Sequence, residues 1–132
     1  MKKVNCILLI DDDEATNHLH TMILKNLDLY DKIEVAENGK KGLDFIKLCH
    51  PKDLPELILL DINMPLMDGF QFLEEYQKLD PSRRLPSKLI MVSTSSNQKE
   101  VSRAMEHKEL YGYLDKPLKK NEILEIWNDC FN

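Results

Sequence analysis

Three aliphatic runs constrain this chain more than any other feature: VNCILLI at 4–10, LILL at 57–60 and LIMV at 89–92. A strand that is apolar on both sides has to be covered on both faces, which is the signature of a parallel sheet between helical layers. The segments between the runs carry helical spacing. Ala15, Leu19, Met22, Ile23 and Leu27 form one such series, and Gly42, Phe45, Ile46 and Cys49 form a second. Phe72, Leu73, Tyr76 and Leu79 follow Gly69, and Val101, Ala104 and Met105 follow a cap signal made by Asn97 with Glu100. Ile123, Ile126, Trp127 and Cys130 give a fifth helical face. Ile33 and Val35 alternate with charges and predict a half-exposed strand near an edge, while 112–114 predicts a short fifth strand. DPSRRLPS at 80–87 reads as a turn-rich connection.

Five strands alternating with five helices predict an α/β fold, a doubly wound five-stranded parallel sheet. The right-handed crossover rule leaves few topologies. The flavodoxin-like order 2-1-3-4-5 puts the strongly apolar first and third strands together in the centre. In such sheets ligands gather outside the carboxyl ends of the strands, at the switch point between the first and third.

Composition excludes several classes. At 132 residues the chain fits one domain, expected to span 1–132 with no output domain after it. A net charge of −5 argues against nucleic acid as the main partner. The opening MKKVNCILLI breaks into Asp11, Asp12, Asp13 and Glu14 too soon for a signal peptide. No apolar stretch approaches the roughly 20 residues needed for membrane insertion. Cys6, Cys49 and Cys130 are odd in number and lack Cys-x-x-Cys spacing, so buried free thiols in a reducing cytoplasm are expected.

Chemistry-bearing residues stand at four of the five predicted carboxyl ends. The first strand ends in Asp11, Asp12 and Asp13, the third in Asp61, the fourth in Ser93 and Thr94, and the fifth in Asp115, Lys116 and Pro117. Each group alone has an ordinary explanation, as helix cap, turn residue or solvated lysine. Together they do not. Carboxylates brought to one strand end repel by about 1 to 4 kcal/mol per pair, and a divalent cation reverses the sign. Oxygen ligands without histidine or thiolate suit Mg²⁺, with Mn²⁺ possible. A lysine and a hydroxyl beside them supply the cation and donor that a phosphoryl group needs. Asp61 then reads as the nucleophile that receives it.

The acidic group of LLIDDDE, AENG at 36–39, ILLDINMPLMDG, IMVSTSS and GYLDKPL at 112–118 occur in order. With them the chain resembles a stand-alone response-regulator receiver domain of two-component signalling, the CheY-like type, over essentially its full length. The resemblance implies that Asp61 is the phosphoacceptor and that Asp11 and Asp12 are the acidic pair, Asp12 the direct metal ligand. Asn63 would lend the metal its backbone carbonyl. Lys116 would contact the phosphoryl group, with Ser93, or alternatively Thr94, as switch hydroxyl and Tyr113 as aromatic switch. It also implies a cis Lys116–Pro117 bond. The expected partners are a sensor histidine kinase or histidine phosphotransfer protein and a downstream protein target, met on the face of the fourth helix, fifth strand and fifth helix. The expected chemistry is limited to the chain's own aspartyl phosphorylation and dephosphorylation, not turnover as an enzyme.

Other functions fit less well. A phosphohydrolase of the haloacid-dehalogenase type needs an aspartate two residues past its nucleophile, where this chain has Asn63. A flavodoxin's phosphate would meet three repelling aspartates. A degenerate receiver serving only as a binding module is the remaining alternative. His18 and His20 read as surface residues, Lys119 and Lys120 as a solvated helix start, and Trp127 as core.

Overall fold

The computed structural model describes residues 2–94 and 97–131; Ser95 and Ser96 of the IMVSTSS stretch lie outside them, as do Met1 and Asn132. Its strands are β1 (Val4–Ile10), β2 (Tyr30–Ala36), β3 (Leu57–Asp61), β4 (Lys88–Ser93) and β5 (Leu110–Asp115). All pair in parallel, in the order β2-β1-β3-β4-β5. The helices are α1 (Glu14–Leu27), α2 (Gly39–Leu48), α3 (Gly69–Gln77), α4 (Pro81–Arg84), α5 (Gln98–Met105) and α6 (Lys120–Phe131).

The aliphatic runs are apolar on both sides because both sides are packed. Ile7 and Leu9 of β1, Leu57 and Leu59 of β3, and Ile90 and Val92 of β4 join Leu24 of α1 and Ile123 and Trp127 of α6 in one core. The alternate residues Leu8, Ile10, Ile58, Leu60 and Met91 join Leu43 and Ile46 of α2, Phe72, Leu73 and Tyr76 of α3, and Ala104 of α5 in the other. β2 lies at a sheet edge, and its Val35 is half exposed.

Three expectations need correcting. The segment 80–87 holds a helical turn, α4, because Pro81 fits the first helical position and the Asp80 side chain accepts from Ser82 N–H. That makes six helices, with α5 and α6 filling the places of the expected fourth and fifth. On α1 the buried face is Asn17, His20 and Leu24, while Leu19 and Met22 stand about half exposed. Hydrophobic spacing misreads this helix because two of its buried positions are polar. Of the cysteines only Cys6 is buried; burial pushes its thiol up to about 11.

α3 begins tight against the end of β3. Asp68 and Gln71 close a capping box, and Gly69 N–H donates to the Ile62 carbonyl at 2.7 Å. A Cβ at Gly69 would lie 2.7 Å from the Asp61 carbonyl oxygen and 2.9 Å from Ile62 Cα, so only glycine allows this approach. At Gly42 the conflict is with the flexible end of Ile10. Gly69→Ala is therefore expected to lower stability by about 1–3 kcal/mol and Gly42→Ala by less, as read from urea unfolding midpoints.

Candidate functional site

The sheet register dictates which residues meet. Ile10 pairs with Leu60 and Asp61 with Val92, so the residue after β1 stands beside the last residue of β3. Side chains alternate along a strand, which puts Asp11 on the side of Ile7 and Leu9, and Asp61 on the side of Leu57 and Leu59. That is the same face. Ser93 ends β4 opposite Asp115, and its carbonyl accepts from Lys116 N–H at 2.7 Å. This bond anchors the Lys116 backbone at the same lip, just before a cis Lys116–Pro117 peptide.

From there the Lys116 ammonium reaches both carboxylates, donating to Asp11 Oδ2 at 2.6 Å and to Asp61 Oδ1 at 3.0 Å. All three groups are largely out of water: the side chains are 7%, 8% and 11% exposed for Asp11, Asp61 and Lys116. Burial pushes the Asp61 carboxyl above the usual carboxylate range; the Lys116 hydrogen bond pulls it back, and the Asp11 charge raises it further. For Lys116, burial works against the charged form, but its bonds to Asp11 and Asp61 outweigh it and the pKa is raised. One ammonium thus holds two buried carboxylates that would otherwise repel.

Asp12, exposed on the rim, completes an acidic group. One carboxylate oxygen from each of Asp11, Asp12 and Asp61 lies within 4.8 Å of the others. The donors are hard oxygens, and among the described residues neither histidine nor cysteine joins them. That chemistry fits Mg²⁺ or Mn²⁺. Asp13 stands apart from the group: it caps α1, accepting from Thr16 N–H and the Thr16 hydroxyl. Asn63 is exposed in the loop that follows β3.

The two candidate hydroxyls separate cleanly. Ser93 is fully buried at the end of β4, whereas Thr94 is exposed. The Ser93 hydroxyl donates to Glu100 Oε1 of α5 at 3.4 Å, and the Tyr113 hydroxyl of β5 donates to the same oxygen at 3.4 Å. Burial raises the Tyr113 pKa, a hydrogen bond with Ser93 opposes this, and the Glu100 charge adds to the rise.

Three residues near the site escaped the sequence. His20 is buried, correcting its reading as a surface residue: its Nε2 accepts from Leu118 N–H at 3.3 Å, two residues past Lys116. Burial, then the Lys116 charge, holds its pKa below the usual histidine value. Asn17 is buried too and donates through Nδ2 to the Asp11 carbonyl at 2.8 Å. Glu100 read as a cap partner only. His20 and Asn17 carried one signal, since with Leu24 they repeat at helical spacing.

Stability should respond to pH in two opposite ways. The folded pKa of Asp61 is raised, so its share of stability is fully present below the ordinary 3.8 and is lost as pH rises through the folded value. Asp61→Asn is accordingly expected to raise the unfolding midpoint at neutral pH, with no gain well below 3.8. The folded pKa of His20 is lowered, so stability falls as pH drops below the ordinary 6.5. His20→Leu is expected to flatten the stability curve below that point, measured by urea titration at a series of pH values.

Comparison with known proteins fits this geometry. Residues 7–128 match the family of the response regulator receiver domain. The chain is 29% identical to the probable methanogenesis regulatory protein FilR2 of Methanothrix harundinacea, over 92% of this chain and 82% of that one. It is 27% identical to the chemotaxis protein CheY of Halobacterium salinarum, over 93% of each. Its fold is similar to the crystal structure of a two-component response regulator from Cytophaga hutchinsonii, with a TM-score of 0.88, 24% identity and 99% of each chain covered.

Proposed function

This chain belongs to the response regulator receiver domain family, and from that premise we propose that its Asp61 accepts a phosphoryl group from a phosphohistidine. The observation that carries the reading is the Lys116 ammonium bonded to both Asp11 and Asp61. A nucleophilic carboxylate in a buried site needs a cation beside it, and an incoming phosphoryl group needs a cation for its oxygens. Lys116 supplies both.

An Asp61 oxygen forms the new bond to phosphorus while the bond from phosphorus to the donor imidazole nitrogen breaks, its electron pair leaving with the imidazole. Lys116 neutralises the developing charge on the phosphoryl oxygens. Ser93 donates its hydroxyl to one of them, a role its burial at the end of β4 favours over exposed Thr94. Asp11, Asp12 and Asp61, with the Asn63 backbone carbonyl, would hold a Mg²⁺ or Mn²⁺ ion, which supplies positive charge to the nucleophile and the transferred group. The later hydrolysis of the acyl phosphate is slow self-dephosphorylation, not turnover of a small substrate.

The donor is a sensor histidine kinase or a histidine phosphotransfer protein, and the product biases a protein-binding surface. That surface is the face of α5, β5 and α6, where Ser93 and Tyr113 link the acceptor to the outside. Lys99 and Lys119 lie exposed beside it. Arg103, also exposed, turns instead to α3, where its guanidinium stacks on the Phe70 ring at 4.0 Å. Lys108 stands elsewhere, beside Arg84 and Lys88 in a cleft of about 270 Å³. No helix among the described residues is long and apolar enough to cross a membrane, and free thiols suit the cytoplasm, where we place the domain.

Incubation with acetyl phosphate and Mg²⁺ should add one phosphoryl group, read by intact mass. Asp61→Asn should abolish the gain, and Lys116→Ala should slow it by about 10²-fold or more, as for loss of one electrostatic donor. An intact chain that gains no mass leaves only the binding-module reading.

A further inference from the structure

Glu100 has no part in the chemistry described above, yet one of its oxygens accepts from both hydroxyls that the switch depends on. It stands on the first turn of α5, where its sequence position suggests only a helix cap. Asn97 already caps that turn by accepting from Lys99 N–H. The Glu100 carboxylate turns inward instead, to Ser93 at the end of β4 and Tyr113 on β5.

A serine hydroxyl carries one proton. It serves one acceptor at full strength, whether Glu100, its neighbour Tyr113 or an anion on Asp61. We propose that Glu100 is a positioning residue that sets the threshold of the switch, a competing acceptor that keeps Ser93 and Tyr113 tied to α5 until a phosphoryl group on Asp61 accepts the serine's hydrogen bond in its place. Both bonds are long, at 3.4 Å, and two features still let them compete. The acceptor is charged, and hydrogen bonds to charged groups exceed neutral ones. Ser93 is wholly buried, so water does not replace a lost partner. When Ser93 leaves, the bond from Tyr113 to Glu100 no longer has a neighbour sharing the same oxygen. The tyrosine and the α5 turn then repack together, which links the acceptor to the α5–β5–α6 face.

The inference rests on the phosphoacceptor reading for its consequence but not for its geometry, and the test separates them. In the first arm, without metal, the Tyr113 ring resonances are recorded by NMR in the unaltered chain, Glu100→Gln and Glu100→Ala. Both variants should shift them, Ala more than Gln; unmoved resonances overturn the tether whatever the domain's function. In the second arm, Mg²⁺ with beryllofluoride serves as the phosphoryl mimic, and its affinity is measured by calorimetry. Glu100→Ala should bind it about threefold to tenfold tighter, and Glu100→Gln by less, because a neutral amide oxygen competes more weakly. In a Ser93→Ala background the gain should vanish. An equal gain with and without Ser93, or no gain at all, overturns the proposal. Should the unaltered chain bind no beryllofluoride and take no phosphoryl group from acetyl phosphate, the phosphoacceptor reading falls with the threshold role, while the first arm still decides the tether.

Discussion

One ammonium group organises this molecule's functional end. Lys116 joins carboxylates that the chain separates by 105 and 55 positions, and each is nearly out of water. Two buried carboxylates facing each other are unfavourable, and a buried lysine alone is equally so. Together they reach near balance. The raised pKa of Asp61 shows that the balance still leans against its charge.

The sheet exists, in functional terms, to hold that balance. Parallel pairing in the order β2-β1-β3-β4-β5 brings the ends of β1 and β3 together at the centre and sets β4 and β5 beside them. Four of the five strands, β1, β3, β4 and β5, each contribute one group at the carboxyl end: Asp11, Asp61, Ser93 and Lys116. The Ser93 carbonyl bond to Lys116 N–H ties the last two at the backbone level, so lysine and hydroxyl are positioned by a single contact. His20 adds support from α1 by accepting from Leu118 N–H. The glycine at 69 lets α3 start against the Asp61 carbonyl without displacing it.

Much of this was legible before any coordinates. The aliphatic runs identified the buried strands because a strand covered on both faces tolerates almost no polar residue. Asp61 stood out because it ends such a run, whereas Lys116, alone an ordinary turn lysine before a proline, stood out only in conjunction with the other strand-end groups. Where the reading failed, polar residues occupied buried positions. Asn17 and His20 replace apolar residues on the inner face of α1, so hydrophobic spacing pointed to Leu19 and Met22, which are half exposed. The helical turn at Pro81–Arg84 was hidden by a composition equally suited to a loop.

The sequence by itself determined the layer architecture and which residue types stand at the strand ends, because periodicity and burial are properties of each segment on its own. It also determined that several carboxylates must share a small space. The tertiary structure alone decided how those groups pair: that Lys116 bridges Asp11 and Asp61, that Asp13 is spent on the helix cap, and that buried Ser93 rather than exposed Thr94 faces inward. It also decided that Glu100 turns toward Ser93 and Tyr113. Register and helix placement fix these pairings, and both depend on contacts between segments far apart in the chain.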